Sequence, residues 1–342
     1  MRTPDIYVSG LGVYLPEVTS VDDAIADGRY DAAVAEETEL LGAAISPDLS
    51  GPEMALIAAR EAIGRAEHDP TELDALLYVD MYHSGPDGWC PQSYLQRELV
   101  GGDLLAANIR QGCNGMFGAL ELAASYLLAG HDAALLAAGD NMGSPLVNRW
   151  QSLPEFILAD SGSAVLLTRS PGFAKLLSVC SMTIPELEGM HRGAEPLLPA
   201  PVTLGKPLEL LSRFREFAKM NGAKTADAGL KLIKSRVDLV HRALDEAGID
   251  ITQITRIACN HGSRGFIDDG LLESIDLDIE QSTWDFGRRV GHLGPSDQVA
   301  GFDHLLTTGE LTAGDHLLMF GHGPGFGLAT AVFEILETPK WL

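Results

Sequence analysis

A cysteine, two histidines and an aspartate stand in settings that suit nucleophilic and acid–base chemistry. Cys113 lies in RQGCNGMFGALELAASYLLAG, where an apolar strand gives way to an alanine-rich helix. Gly112 and Gly115 permit a sharp bend, and the positive end of the following helix favours a thiolate over a thiol. Such a turn presents a nucleophile; the plain alternative is a buried structural cysteine. His292, in RRVGHLGPSDQVAGF, occupies a turn read here as strand to helix, and Asp297 follows where Pro295 and Ser296 can open that helix. An imidazole beside a thiol can take its proton, and a carboxylate on the far ring nitrogen fixes the tautomer that does so. Asp297 also reads simply as an acid in a helix first turn. His261, in CNHGSRGFIDDG, ends another apolar strand, so it is either a second imidazole in the site or a satisfied structural histidine.

The remaining motifs carry less. Cys90 in DGWCPQS reads as wall, and Cys180 and Cys259 sit on apolar runs as structural residues. No two of the four cysteines have CxxC spacing, so neither a zinc site nor a disulfide framework is expected. The segment GHGPGFG, Gly321 to Gly327, lacks the Lys-Ser/Thr of a P-loop and the spacing of a dinucleotide loop. Its turn can instead bring the backbone N–H of Gly325 to an oxyanion, as can the amide of Cys113.

The elements that must position these groups form a repeat. EAIGRAEHDPTELDALLYV (61–79) lies over RALDEAGIDITQITRIACN (242–260), with Ala62, Ala66, Asp69 and Thr71 recurring as Ala243, Ala247, Asp250 and Thr252 at a constant offset of 181. Each copy reads as the end of an amphipathic helix, a turn and an apolar strand, followed by a further strand, a glycine turn and a helix. Helices alternating with apolar strands point to parallel strands covered on both faces, in two related α/β halves, 1–170 and 171–342. The join falls near 168–178. A Pro-, Leu- and Gly-rich insertion at 182–226 is expected to wall the shared site, as is the loop at 81–92.

Charge narrows the function. The chain has 342 residues, with 24 Lys+Arg against 48 Asp+Glu, a formal charge of −24. Polyanionic partners, nucleic acid and anionic membranes alike, are therefore excluded unless the cations cluster. The opening MRTPDIYVSGLGVYLPE runs straight into a strand pattern without a cationic, apolar leader, and the apolar stretch 119–139 is broken by Glu121, His131 and Asp132. A cytoplasmic protein is the expectation. One basic run stands out: Lys206, Arg213, Arg215, Lys219, Lys224, Lys231, Lys234 and Arg236, with Arg264 further on. It is either a local docking patch for an acidic partner or a solvated helix face.

Taken in order, the cysteine turn, the histidine on an echoing strand, GHLGPSDQ and the closing GHGPGFGLATAVFEI resemble the thiolase superfamily, and within it the ketoacyl-acyl-carrier-protein synthase III group. The resemblance implies an α/β thiolase-like fold, two duplicated halves with central mixed sheets and buried helices between them. In that family a cysteine takes the acyl group, while a histidine and an asparagine hold the thioester carbonyl during decarboxylative condensation. Cys113 matches the nucleophile and His261 the family histidine. The asparagine position holds His292, and His-Gln-Ala-Asn becomes His261-Gly262-Ser263-Arg264. Both departures fall on the condensing machinery. Imidazole in place of amide supplies the base that transfer to a hydroxyl or thiol requires.

GHLGPSD further resembles a non-condensing acyltransferase subgroup of antibiotic pathways, whose triad implies roles for Cys113, His292 and Asp297. The resemblance also implies an acyl-carrier-protein or coenzyme A thioester as donor, a small-molecule or carrier acceptor, no permanently bound cofactor or metal, and a homodimer. By the same analogy Arg149 and Trp150 either stack on a coenzyme A adenine or serve core or dimer packing, with Arg213, Arg215 and Arg264 near the donor. Two rivals remain: a condensing enzyme priming a polyketide or fatty-acid chain, and a non-catalytic dimer partner.

Overall fold

The computed structural model describes the chain from Met1 to Leu342 except for His83, and of residues 223–226 the backbone only. The strands are β1 (Tyr7–Tyr14), β2 (Val18–Ser20), β3 (Gly42–Ala44), β4 (Ala75–Val79), β5 (Leu105–Ile109), β6 (Ala133–Asp140), β7 (Ser161–Thr168), β8 (Ala174–Thr183), β9 (Arg256–Ala258), β10 (His316–Gly323) and β11 (Gly327–Ile335). Nine of them make one sheet in the order β5-β4-β6-β7-β1-β8-β11-β10-β9, and β2 pairs with β3 alone.

The sheet is mixed, and its pattern repeats. From β1 outward the pairings are antiparallel to β7, antiparallel to β6, then parallel to β4; from β8 they are antiparallel to β11, antiparallel to β10, then parallel to β9. The parallel pairing that helix–strand alternation predicts is found for β4 with β5 and β6 and for β9 with β10, the inner strands are antiparallel, and the whole is the mixed sheet that the resemblance implies. β10 and β11 meet through Gly323 and Gly327 in a tight hairpin, which only antiparallel neighbours can share. β1 and β8 touch at only two register positions, Tyr7 with Lys175 and Val8 with Ala174. Outermost, the two sides differ. The first carries β5 beyond β4, whereas the second keeps only the isolated parallel bridge Ile257–Ser282 and then turns into the helix Trp284–Val290.

The offset-181 repeat marks matching turns. Asp69 caps the turn before β4 by accepting from the Thr71 amide at 2.9 Å, and Asp250 caps the turn before β9 by accepting from the Thr252 amide at 2.9 Å. Helix Gly51–Arg65 lies on β1, β6 and β7 so closely that a Cβ on Gly12 would stand 2.0 Å from the carbonyl oxygen of Ala58. Helices Gly115–Leu128 and Asp297–Thr307 bury Phe117 and Phe302 in one apolar core with strands from both sides of the β1–β8 junction. Both helices begin where the chemistry-bearing turns end.

Candidate active site

Cys113 sits in the 3-10 turn Gly112–Asn114, between β5 and helix Gly115–Leu128. Gly112 holds φ at +58°, and a Cβ there would lie 2.4 Å from Pro324, so the nucleophile turn and the closing glycine turn touch only because this residue is glycine. Asn114 ties the same two turns together, its side-chain amide donating to the Gly327 carbonyl at 2.7 Å. The thiol is 8% exposed and contacts the Met81 sulfur at 3.3 Å.

His292 follows a helix, which corrects the expected strand. WDFGRRV buries Gly287 and Val290 on one face, a helical rather than alternating pattern, and Gly291 ends the helix with φ +81°. The histidine backbone is instead clamped like a one-residue strand: its N–H donates to Ile157 O at 2.8 Å, and its carbonyl accepts from Ala159 N at 2.9 Å. This clamp aims the ring. His292 Nε2 lies 3.0 Å from Cys113 Sγ, and His292 Nδ1 lies 2.6 Å from Asp297 Oδ2.

Asp297 opens helix Asp297–Thr307 and is fully buried. Its Oδ1 accepts from Leu293 N at 2.7 Å, and its Oδ2 from His261 N at 2.9 Å. Burial pushes the Asp297 carboxyl up, but the neighbouring histidines, His261 and His292, and their N–H donors hold it below the usual carboxylate range. Burial opposes a proton on His292, yet the Asp297 carboxylate and the Cys113 sulfur outweigh it and raise the imidazole well above its ordinary value. The arrangement favours a proton on the imidazole, which sits between a carboxylate and a sulfur.

Cys113 and His292 open into a mostly apolar chamber of about 530 Å³, walled by Phe156, Leu208, Phe214 and Phe326. Leu208 and Phe214 come from the 182–226 insertion, and Phe156 packs over the His292 ring at 4.9 Å between centroids. A larger open depression of about 720 Å³ lies at the opposite strand ends, around Asp74, Asp132 and Lys340, and holds no cysteine. Glu155, His191 and His322 also line the chamber and were not singled out in the sequence. Burial, with Arg213 nearby, pushes His191 down to about 4, and burial with Arg236, His191 and His292 nearby pushes His322 down to about 3. His322 in the glycine-rich turn was the one available signal.

Other expected site residues fall elsewhere. His261 is 2% exposed and stands behind Asp297 rather than on the chamber wall. Gly325 lines a shallow depression beside the chamber, next to Arg213 and His191, while Gly323 and Phe326 face the chamber itself. Arg149 and Trp150 are corrected to core residues. The Arg149 guanidinium grips buried Asp160 through two bonds of 3.1 Å, and Trp150 is 5% exposed against Tyr30. Neither offers a face for stacking a nucleobase.

The basic run is partly ion-paired. Lys206 pairs with Glu195, Lys231 with Glu186 and Lys234 with Asp238, while Arg236 is buried and donates to the Gly270 carbonyl. Arg264 lies over Trp284 and beside Asp268. Among the described residues of the run, Arg215 and Lys219 stay exposed without an ion pair; the side chain of Lys224 lies outside them. Cys90 is exposed and Cys259 is buried, its thiol pushed up to about 12 by burial. Among the described residues no His, Cys, Asp or Glu cluster could hold a metal ion, and no helix is long and apolar enough to cross a membrane.

A duplicated α/β sheet with a cysteine at one helix start and a histidine before its sister helix defines a thiolase-type protein. Residues 107–183 match the model of 3-oxoacyl-[acyl-carrier-protein] synthase III, and residues 244–335 match the model of its C-terminal part. The chain is 24% identical to the beta-ketoacyl-[acyl-carrier-protein] synthase III of Methylococcus capsulatus, over 96% of this chain and 98% of that one. Its structure superposes on the acyltransferase ChlB3 with a TM-score of 0.95 and 48% identity, covering 99% of this chain and 100% of that one. The 3-oxoacyl-[acyl-carrier-protein] synthase III of Aquifex aeolicus shares the fold, with a TM-score of 0.78 and 19% identity over 96% and 99% of the two chains. The chain belongs to the ketoacyl-acyl-carrier-protein synthase III-like group of the thiolase superfamily.

Proposed function

We propose that the protein is an acyltransferase that moves an intact acyl group from a carrier-protein or coenzyme A thioester, through Cys113, to a hydroxyl or carrier thiol in secondary metabolism. One observation carries this reading: the relay Cys113–His292–Asp297, at 3.0 and 2.6 Å, opens into an apolar chamber. Likeness to the acyltransferase ChlB3 supports it.

In the first step the Cys113 proton rests on His292, and the sulfur attacks the thioester carbonyl. The resulting oxyanion takes the Cys113 amide, which as a helix-start N–H has no intrahelical acceptor. Collapse breaks the donor C–S bond, and the departing thiolate takes the proton from His292. In the second step neutral His292, oriented by Asp297, takes the acceptor's proton; the acceptor oxygen or sulfur attacks, and Cys113 leaves as the thiolate. Atoms balance without an oxidant, a metal or loss of carbon dioxide.

Decarboxylative condensation instead needs two N–H donors on one enolate oxygen. The placement of His261 behind Asp297 weighs against that chemistry. The homodimer stays a proposal from family likeness; Leu105, half-exposed on edge strand β5, is compatible with pairing there.

The test is intact-mass analysis with a panel of acyl thioesters. An adduct of the full acyl mass is expected on the wild type and absent from Cys113→Ala, whereas equal labelling of both variants defeats the assignment. His292→Ala should slow transfer to the acceptor by on the order of 10²–10⁴-fold, and more than it slows loading. The opposite order removes His292 as the second-step base.

A further inference from the structure

The relay leaves one buried imidazole without a task. The His261 ring nitrogen Nδ1 faces two oxygens, the Gly291 carbonyl at 3.0 Å and Asp297 Oδ1 at 3.2 Å. Both are acceptors, so Nδ1 carries the proton. The other nitrogen, Nε2, is buried with no hydrogen-bond partner, and the ring packs edge-on to Phe286 at 5.4 Å. Gly287 passes so close beneath that a Cβ there would lie 2.6 Å from the ring carbon Cδ2. The ring is boxed in, and among the described residues its polar contacts run to the Asp297 carboxylate that holds His292 and to the Gly291 carbonyl that precedes it.

We infer that His261 is a positioning residue: its Nδ1–H, with its backbone N–H, holds Asp297 and the Gly291 carbonyl so that Oδ2 meets the His292 ring. This rests on the reading that Cys113, His292 and Asp297 do the chemistry. It gives the family histidine a supporting role in place of a direct one. Burial keeps His261 below its ordinary value despite the Asp297 charge beside it, which leaves the ring neutral with one N–H to give. A neutral donor orients the carboxylate without cancelling the charge that His292 requires.

The atoms permit a sharp test. An asparagine side chain sets its amide nitrogen where Nδ1 stands; a glutamine sets it where Nε2 stands. The readout is alkylation of Cys113 by iodoacetamide across pH, in the full-length protein and without any acyl donor, with folding checked by circular dichroism. Other groups electrostatically close to the relay, Cys259, His304 and His322, stay unchanged.

His261→Asn is expected to keep the wild-type alkylation rate and pH profile within about threefold. His261→Gln and His261→Ala should lose about tenfold at neutral pH and move the profile alkaline by about one unit. A glutamine variant that outperforms the asparagine one, or an alanine variant with an unmoved profile, overturns the inference. If His261→Ala does not fold, the asparagine–glutamine pair decides. Because no acyl thioester is present, failure of the transfer reading would appear in the intact-mass test and leave this one standing.

Discussion

At the scale of single residues, the proposed mechanism depends on the charge on Asp297 to turn an ordinary thiol–imidazole contact into a base. Asp297→Asn keeps the volume and removes the charge; its amide NH₂ group, if turned toward Nδ1, also favours the wrong tautomer of His292. Transfer to the acceptor should fall by about 10²–10⁴-fold, with cysteine acylation falling less; single-turnover kinetics by quenched mass analysis separate the two. Stability should also depend on pH through the chamber histidines. His191 and His322, pushed down to about 4 and about 3, stay neutral when folded but bind protons near pH 6.5 when unfolded. The unfolded state therefore binds more protons below pH 6.5, and stability falls as pH drops from there toward about 3. His292 acts in the other direction: its raised affinity stabilises fully below pH 6.5 and is lost as pH rises through the folded value. His322→Phe should flatten the acid-side loss of Tm, and an unchanged slope between pH 7 and pH 5 would sink this account. Cys113, His292 and Asp297 were legible because glycines, a proline and a serine announce their turns. His191 and Glu155 were not, since an isolated polar residue in a single helical turn (Gly189–Arg192) or in a loop turn carries no period to betray its direction.

At the scale of elements, the turn caps at Asp69 and Asp250 were readable, because an aspartate before a short turn has a local cause. The helix before His292 was misread as a strand. An echo predicts that equivalent positions adopt equivalent structure, yet WDFGRRV has lost the continuous apolar run a buried strand needs, and tertiary clamping by Ile157 and Ala159 supplies the register instead. The mixed sheet was likewise hidden from periodicity, since parallel and antiparallel strands buried on both faces look alike in sequence. β6 and β7 are buried at every residue. The glycine at 112 gives a prediction at this scale. Gly112→Ala forces a side chain into a left-handed conformation and against Pro324, so stability should fall by about 1–3 kcal/mol. Cys113 alkylation should slow with it; a variant with wild-type Tm and alkylation rate would show that the turn has room this structure denies.

At the scale of the whole molecule, the charge of −24 and the ion-paired basic run oppose an acidic carrier. Loading from a carrier-bound thioester should therefore quicken several-fold between low and moderate salt, as the Debye length shrinks to ~10 Å at 0.1 M, while loading from a small neutral thioester should not change. A carrier rate that falls with salt would point to attractive steering and restore the docking patch. The sulfur and the Ile157–Ala159 clamp on His292 come from the part of the chain that ends at β7, and the imidazole, the carboxylate and His261 come from the part that begins at β8. Severing the backbone at Ser170–Pro171–Gly172, between those strands, would leave each fragment with half of the reactive chain and neither with a working one. Activity regained on mixing the two pieces would then report reassembly of the interface itself, making the transfer rate a gauge of how well the two halves recognise each other.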